Sequence, residues 1–99
     1  MKIKKDKYFR KRGGIAKIIK VSCMNCGRLL FLYQKDGPGW LKRCYLNRII
    51  YQEGDKEKEL KNLICECGNL VGSPMKYKDG RTAFALIRGK FKRSLFKNQ

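Results

Sequence analysis

Histidine does not occur anywhere in this 99-residue chain. Its absence removes the commonest general base and the imidazole that usually activates a serine or cysteine nucleophile. Carboxylates are scarce too: eight Asp and Glu stand against 25 Lys and Arg. Four of the eight fall within QEGDKEKE (52–59), which reads as one exposed hairpin loop, so no pair of carboxylates is evident for acid–base work. Gly13-Gly14 and Gly37-Pro38-Gly39 lack the pattern of a phosphate-binding Walker loop. The longest apolar run, Leu29–Tyr33, is far short of the roughly 20 residues a membrane span needs. The charged N-terminus has no apolar segment behind it, unlike a secretory signal. These absences predict a protein that is not an enzyme, takes no small-molecule substrate and does not enter a membrane. They also predict a reducing, cytoplasmic setting, where paired cysteines are more often metal ligands than disulfides.

What is present in excess is positive charge. A formal charge of +17 on 99 residues opposes the chain's own compaction, and a polyanion relieves that repulsion. Solubility needs a net charge of only about 2–8. A chain this short buries roughly 60–65% of its unfolded surface, so it supports a modest core that a metal would help to hold.

The pattern along the chain predicts three parts. Residues 1–14, MKIKKDKYFRKRGG, read as a basic flexible arm closed by a Gly-Gly hinge. Residues 15–89 read as a β domain, and residues 90–99, KFKRSLFKNQ, as a basic C-terminal tail whose Phe91, Leu95 and Phe96 suit a short helix or a docked segment. Within the domain, IAKIIKVS (15–22) and LLFLYQ (29–34) read as two strands of a hairpin with Cys23–Gly27 at its tip. KDGPG (35–39) and KDGR (78–81) are turns. WLKRCYLNRIIY (40–51) fits a helical face or an alternating strand, the strand being favoured by the turn before it and by Ile49-Ile50-Tyr51. TAFALIRG (82–89) is the last strand. The fold class is therefore mainly β, with short antiparallel strands.

Five cysteines carry the chemistry. Cys23-Met24-Asn25-Cys26-Gly27 and Cys65-Glu66-Cys67-Gly68 are two knuckles, each followed directly by glycine. A tight knuckle aims backbone N–H groups at its thiolates, and the turn often needs a positive φ that glycine adopts cheaply. Two such pairs about forty residues apart suit tetrahedral thiolate coordination of Zn2+ by Cys23, Cys26, Cys65 and Cys67. Four thiolates close the shell, which points to a structural rather than a catalytic metal. An iron–sulfur cluster accepts the same donors, while a CxxC redox pair leaves Cys65 and Cys67 unexplained. The second knuckle has a one-residue spacer, which raises Cys44 as an alternative ligand. Cys44 lacks both a partner and a following glycine, so the expectation is a core residue beside Trp40 and Leu46.

The basic residues are densest at the two ends. Lys2, Lys4, Lys5, Lys7, Arg10, Lys11, Arg12, Lys17 and Lys20 lie in the first 20 positions, and Arg88, Lys90, Lys92 and Arg93 near the other end. Such segregation is the electrostatic footprint of a nucleic-acid binder. Tyr8, Phe9, Tyr77 and Phe91 sit among these charges, placed either to stack on bases or to pack on the domain. No helix-turn-helix or classical finger pattern is present, which favours RNA over DNA.

On these residues the chain resembles the broad class of zinc-ribbon proteins, which includes small zinc-containing ribosomal proteins. The resemblance rests on Cys23-x-x-Cys26-Gly27, Cys65-x-Cys67-Gly68 and the basic segments at both ends, and covers the knuckles and charge layout rather than the whole chain. It implies a zinc-ribbon-like domain, a structural zinc, and a role bound to ribosomal RNA among ribosomal proteins. The alternatives are a DNA-binding or transcription-associated zinc ribbon, and a zinc-stapled adaptor that docks an acidic protein.

Overall fold

Ile19, Val21 and Cys23 alternate along AKIIKVSC, and in the computed structural model all three are buried on one side of a strand. The structure describes residues 3–11, 13–52 and 61–96. Among them are one short helix, α1 (Lys7–Lys11), and eight strands: β1 (Ala16–Cys23), β2 (Leu29–Asp36), β3 (Arg43–Tyr45), β4 (Ile49–Gln52), β5 (Leu63–Ile64), β6 (Leu70–Lys76), β7 (Thr82–Leu86) and β8 (Phe91–Leu95). The protein is mainly β, as the sequence predicts, and its strands form two antiparallel four-stranded sheets, β4-β2-β1-β8 and β3-β7-β6-β5. One core joins them. Val21, Phe31 and Tyr33 from the first sheet meet Cys44, Leu63, Val71 and Phe84 from the second.

The ambiguous stretch 40–51 proves to be the crossing between sheets. Arg43–Tyr45 pairs with β7 in the second sheet, Leu46–Arg48 makes one 3-10 turn, and Ile49–Gln52 pairs with β2 in the first. A segment that changes sheets cannot hold one periodicity, which is why both patterns fit it in part. Cys44 is fully buried as expected, but Trp40 is 79% exposed and Leu46 is exposed too, so neither shares its core.

The C-terminal segment is docked, as a strand rather than a short helix, and the N-terminal segment read as a flexible arm also lies against the domain. Residues 91–95 form β8, which runs antiparallel to β1 from Cys23↔Phe91 to Ile19↔Leu95. The edge of β1 offers a row of backbone donors and acceptors, and a partner strand satisfies them. At the other end, residues 3–11 lie against the domain. The Lys4 backbone exchanges two hydrogen bonds with the Gln34 side chain, its N–H donating to Oε1 at 2.7 Å and its carbonyl accepting from Nε2 at 2.9 Å. Asp6 accepts from the Tyr8 and Phe9 N–H groups at the start of α1 and takes a forked pair of bonds from Arg48, at 2.6 and 3.0 Å. Arg48 is 1% exposed and also donates to Asp36 at 2.8 Å. A buried guanidinium needs this much anionic company, and one of its two carboxylates comes from the arm. The acidic stretch 52–59 lies, past its first residue, outside the described residues.

Arg48 holds the Asp6 carboxyl well below the usual carboxylate range, against an opposing push from burial. The contribution of Asp6 to docking is therefore complete above about pH 4 and is lost only as pH falls further. Asp6→Asn is expected to speed amide exchange across residues 6–14 at neutral pH while β1, β2 and β7 keep their protection. Hydrogen exchange followed by NMR reads both regions at once, and unchanged protection over 6–14 would show that the ion pair does not hold the arm.

Candidate metal centre and basic surface

The first knuckle is built by the β1–β2 hairpin. Cys23 ends β1, its N–H donating to the Arg28 carbonyl at 2.9 Å, and the Gly27 N–H returns to the Cys23 carbonyl at 2.9 Å. The second repeats the design between β5 and β6: the Cys65 N–H donates to the Asn69 carbonyl at 2.9 Å, and the Gly68 N–H to the Cys65 carbonyl at 2.8 Å. Gly27 and Gly68 have φ of +82° and +96°, the left-handed conformation that a side chain disfavours. The two knuckles thus belong to different sheets and face each other.

All four sulfurs of Cys23, Cys26, Cys65 and Cys67 lie within 4.8 Å of one another. Cys23 Sγ is 3.7 Å from Cys67 Sγ, and Cys26 Sγ is 3.5 Å from Cys65 Sγ. A tetrahedral metal with bonds to sulfur of about 2.3 Å sets its ligands about 3.8 Å apart, so the spacing suits one ion. Cys23 and Cys65 are buried, whereas Cys26 and Cys67 are exposed. The one-residue spacer of the second knuckle places both of its thiols in the cluster. Cys44 is not part of the cluster, and burial pushes its thiol up, as in an inert core residue.

Each knuckle supports the other. Asn69, just after Gly68, donates to Cys23 Sγ at 3.3 Å and to the Lys90 carbonyl at 2.8 Å. Asn25, inside the first knuckle, donates to Cys67 Sγ at 3.5 Å. The same Lys90 carbonyl accepts from the Met24 N–H at 3.1 Å, so the turn before β8 is tied to both loops. Burial opposes ionisation of Cys23, but the Cys26 N–H and the Asn69 amide outweigh it and bring that thiol down to about 6. Cys67 is lowered chiefly by Asn25. Cys65 goes the other way: the Cys67 N–H pulls it down, yet burial and the neighbouring sulfurs push it up to about 12. Four thiols this close cannot all shed their protons without a counter-charge, and a bound divalent cation supplies one. The donor chemistry and the hydrogen bonds to sulfur together fit a closed four-thiolate metal site.

The basic residues singled out in the sequence are spread over several faces. Lys5, Lys7, Arg10 and Lys11 are exposed on and before α1, and Lys17 is exposed at the start of β1. Lys20 and Lys92 lie on the β1–β8 ladder opposite Ser94 and Ser22, and Arg93 lies opposite Val21. Arg88 and Lys90 sit in the turn before β8. Lys4 is spent internally, its Nζ donating to the Asn47 carbonyl at 2.7 Å. Lys2 and Arg12 lie outside the described residues.

A second basic surface, not foreseen in the sequence, has none of the four clustered cysteines in its lining. It is a groove of about 800 Å³ between α1, the 36–43 segment and the β6–β7 turn. The Arg81 guanidinium lies 3.7 Å from the centre of the Tyr8 ring and 3.8 Å from that of Tyr45, and Asp79 accepts from its Nε at 2.9 Å. Arg43 lies 4.5 Å from the Tyr77 ring centre, and Tyr77 meets Tyr45 edge-on at 5.8 Å. Among the described residues no helix is long and apolar enough to cross a membrane.

Cys23→Ser is expected to abolish metal binding and unfold the domain, since coordination in small thiolate sites is worth about 10–16 kcal/mol. Cys44→Ser is expected to keep one metal per chain and to lose about 1–3 kcal/mol for burying a hydroxyl. Elemental analysis of the purified variants, with far-ultraviolet circular dichroism, separates the two, and loss of metal from Cys44→Ser would overturn the ligand set. No family model matches this chain, and neither curated proteins nor solved structures give a match, so the case for function rests on its own residues.

Proposed function

We propose that this chain is an RNA-binding protein with a structural zinc, working in the cytoplasm as part of the ribosome or bound to it, in contact with ribosomal RNA. The observation that carries this reading is the fate of the carboxylates. Four acidic residues are described, and each is engaged by an arginine: Asp6 and Asp36 by Arg48, Glu66 by Arg28, and Asp79 by Arg81. Twenty Lys and Arg are described beside them. The fold uses its own anions to place three arginines and leaves a large cationic excess to an outside polyanion, whose phosphates would release counterions on binding.

The cysteine cluster supports the zinc. All-thiolate donors at tetrahedral spacing suit Zn2+, and a closed shell on a 99-residue chain argues for a structural ion in a binding protein rather than a catalytic centre. The resemblance to zinc ribbons, and among them to small ribosomal proteins, adds the ribosomal setting. Basic strands and a basic helix without a recognition-helix pattern favour phosphate and shape recognition of RNA over base readout in duplex DNA.

Affinity for a structured ribosomal RNA fragment is expected to fall steeply between 50 and 200 mM KCl, by roughly 10³–10⁵ if six to ten phosphates are contacted. Lys20→Gln with Lys92→Gln is expected to lower the slope of log affinity against log salt by about two. Filter binding over a salt series measures both quantities. Tighter binding to duplex DNA than to RNA would favour the transcription-associated alternative. Co-purification with an acidic protein that survives nuclease would favour the adaptor. Native protein that stays at the top of a ribosome gradient would remove the ribosomal assignment.

A further inference from the structure

Trp40 is the only tryptophan in the chain, and it is 79% exposed at the rim of the groove. A ring this large is normally buried to gain its packing energy. Here its contact is with a cation: the Arg88 guanidinium lies 5.5 Å from the ring centre. Gly37 and Gly39, both with positive φ, flank Pro38 just before it, so a tight turn carries the ring out onto the surface rather than down into the core. Leu41, the next residue, takes the buried place.

The groove beside Trp40 alternates rings and cations. Tyr45 and Tyr8 hold Arg81 between them, and Tyr77 meets Arg43. Lys42 and Lys78 are exposed along the same rim. Of the two carboxylates in the lining, Asp36 is bound to Arg48 and Asp79 to Arg81. The surface therefore offers flat π-faces for stacking and cations for phosphate, while its carboxylates are occupied within the fold. Stacking on aromatic rings needs a base whose face is free, and a duplex hides its base faces inside the stack.

We propose that this groove is a seat for unpaired nucleotides of RNA, with Trp40 as the stacking platform and Arg43, Lys42 and Lys78 meeting the flanking phosphates. The seat rests on the RNA-binding reading above and narrows it to single-stranded segments, such as a loop, a bulge or an end. Arg88 then leaves the Trp40 face for a phosphate as a base takes its place. Tyr8, Arg81 and Tyr45 form the fixed wall, because Asp79 and the two rings already hold that guanidinium.

The single tryptophan makes the test direct. The metal-loaded 99-residue chain is titrated with a single-stranded RNA of about 12 nucleotides and, separately, with a blunt RNA duplex of about 12 base pairs at the same salt. Tryptophan fluorescence and the anisotropy of a label on the RNA are read together. The seat predicts saturable quenching by the single strand and none by the duplex. Trp40→Ala should weaken single-strand binding roughly tenfold, the scale of one base–aromatic stack, and leave duplex affinity within twofold. Trp40→Phe should recover most of the loss. Because the ring is so exposed, these variants should fold as the parent does. Binding of both RNAs with unquenched fluorescence, or equal loss for both on Trp40→Ala, would overturn the seat while leaving the RNA-binding reading in place. Binding of neither RNA at low salt would overturn both.

Discussion

Two sheets meet where four sulfurs share one small volume, and much of the architecture follows from that meeting. Cys23 and Cys26 come from a hairpin of the first sheet and Cys65 and Cys67 from a hairpin of the second. A metal bound there would cross-link the sheets at the end where β1, β5 and the turn before β8 converge. The side-chain amides of Asn25 and Asn69, each reaching a sulfur of the other knuckle, tie the two loops together. With a core of about a dozen buried residues among those described, such a staple would compensate for limited apolar burial, as in other small domains.

The opposite end is held by different means. Arg48 is buried with Asp36 and Asp6, and the second carboxylate brings the N-terminal segment and α1 with it. Nearby, the Tyr33 hydroxyl accepts from the Tyr45 N–H at 2.9 Å, and Arg81 lies between Tyr8 and Tyr45. Polar and cation–π contacts close this end. Such contacts are individually modest, and they leave rings and guanidinium groups standing at the surface. The cysteine-lined end would thus hold the fold together once a metal is bound, while the aromatic and basic end leaves its rings and cations at the surface.

Charge connects the two. A chain with this composition repels itself, and the fold spends its few described carboxylates where a guanidinium must be placed: at Arg48 in the interior, at Arg81 in the groove wall and at Arg28 beside the second knuckle. The remaining cationic excess is distributed over α1, the β1–β8 ladder and the groove rim. On the proposed reading, RNA phosphates take up this excess, and the domain carries the exposed rings to whatever bases are unpaired.

The four-cysteine cluster was legible in the sequence, because a Cys pair followed by glycine has few other uses and the absence of histidine leaves thiolates as the natural donors. The mainly β class and the β1–β2 hairpin were legible because period-two alternation and turn residues act locally, and the burial of Cys44 because it has neither a partner cysteine nor a following glycine, although Trp40 and Leu46, expected beside it, are exposed. Tertiary structure alone decided what depends on distant partners. KFKRSLF reads equally well as a docked segment or a short helix, and its residues 91–95 become β8 because β1 has an edge to fill. The basic arm reads as free because nothing near it in sequence shows that Arg48, forty-two residues from Asp6, is buried and in need of a carboxylate. WLKRCYLNRIIY has no single period because it leaves one sheet and enters the other. The groove draws Tyr8, Trp40, Tyr45, Tyr77 and Arg81 from three separate stretches of chain, and only folding makes neighbours of them.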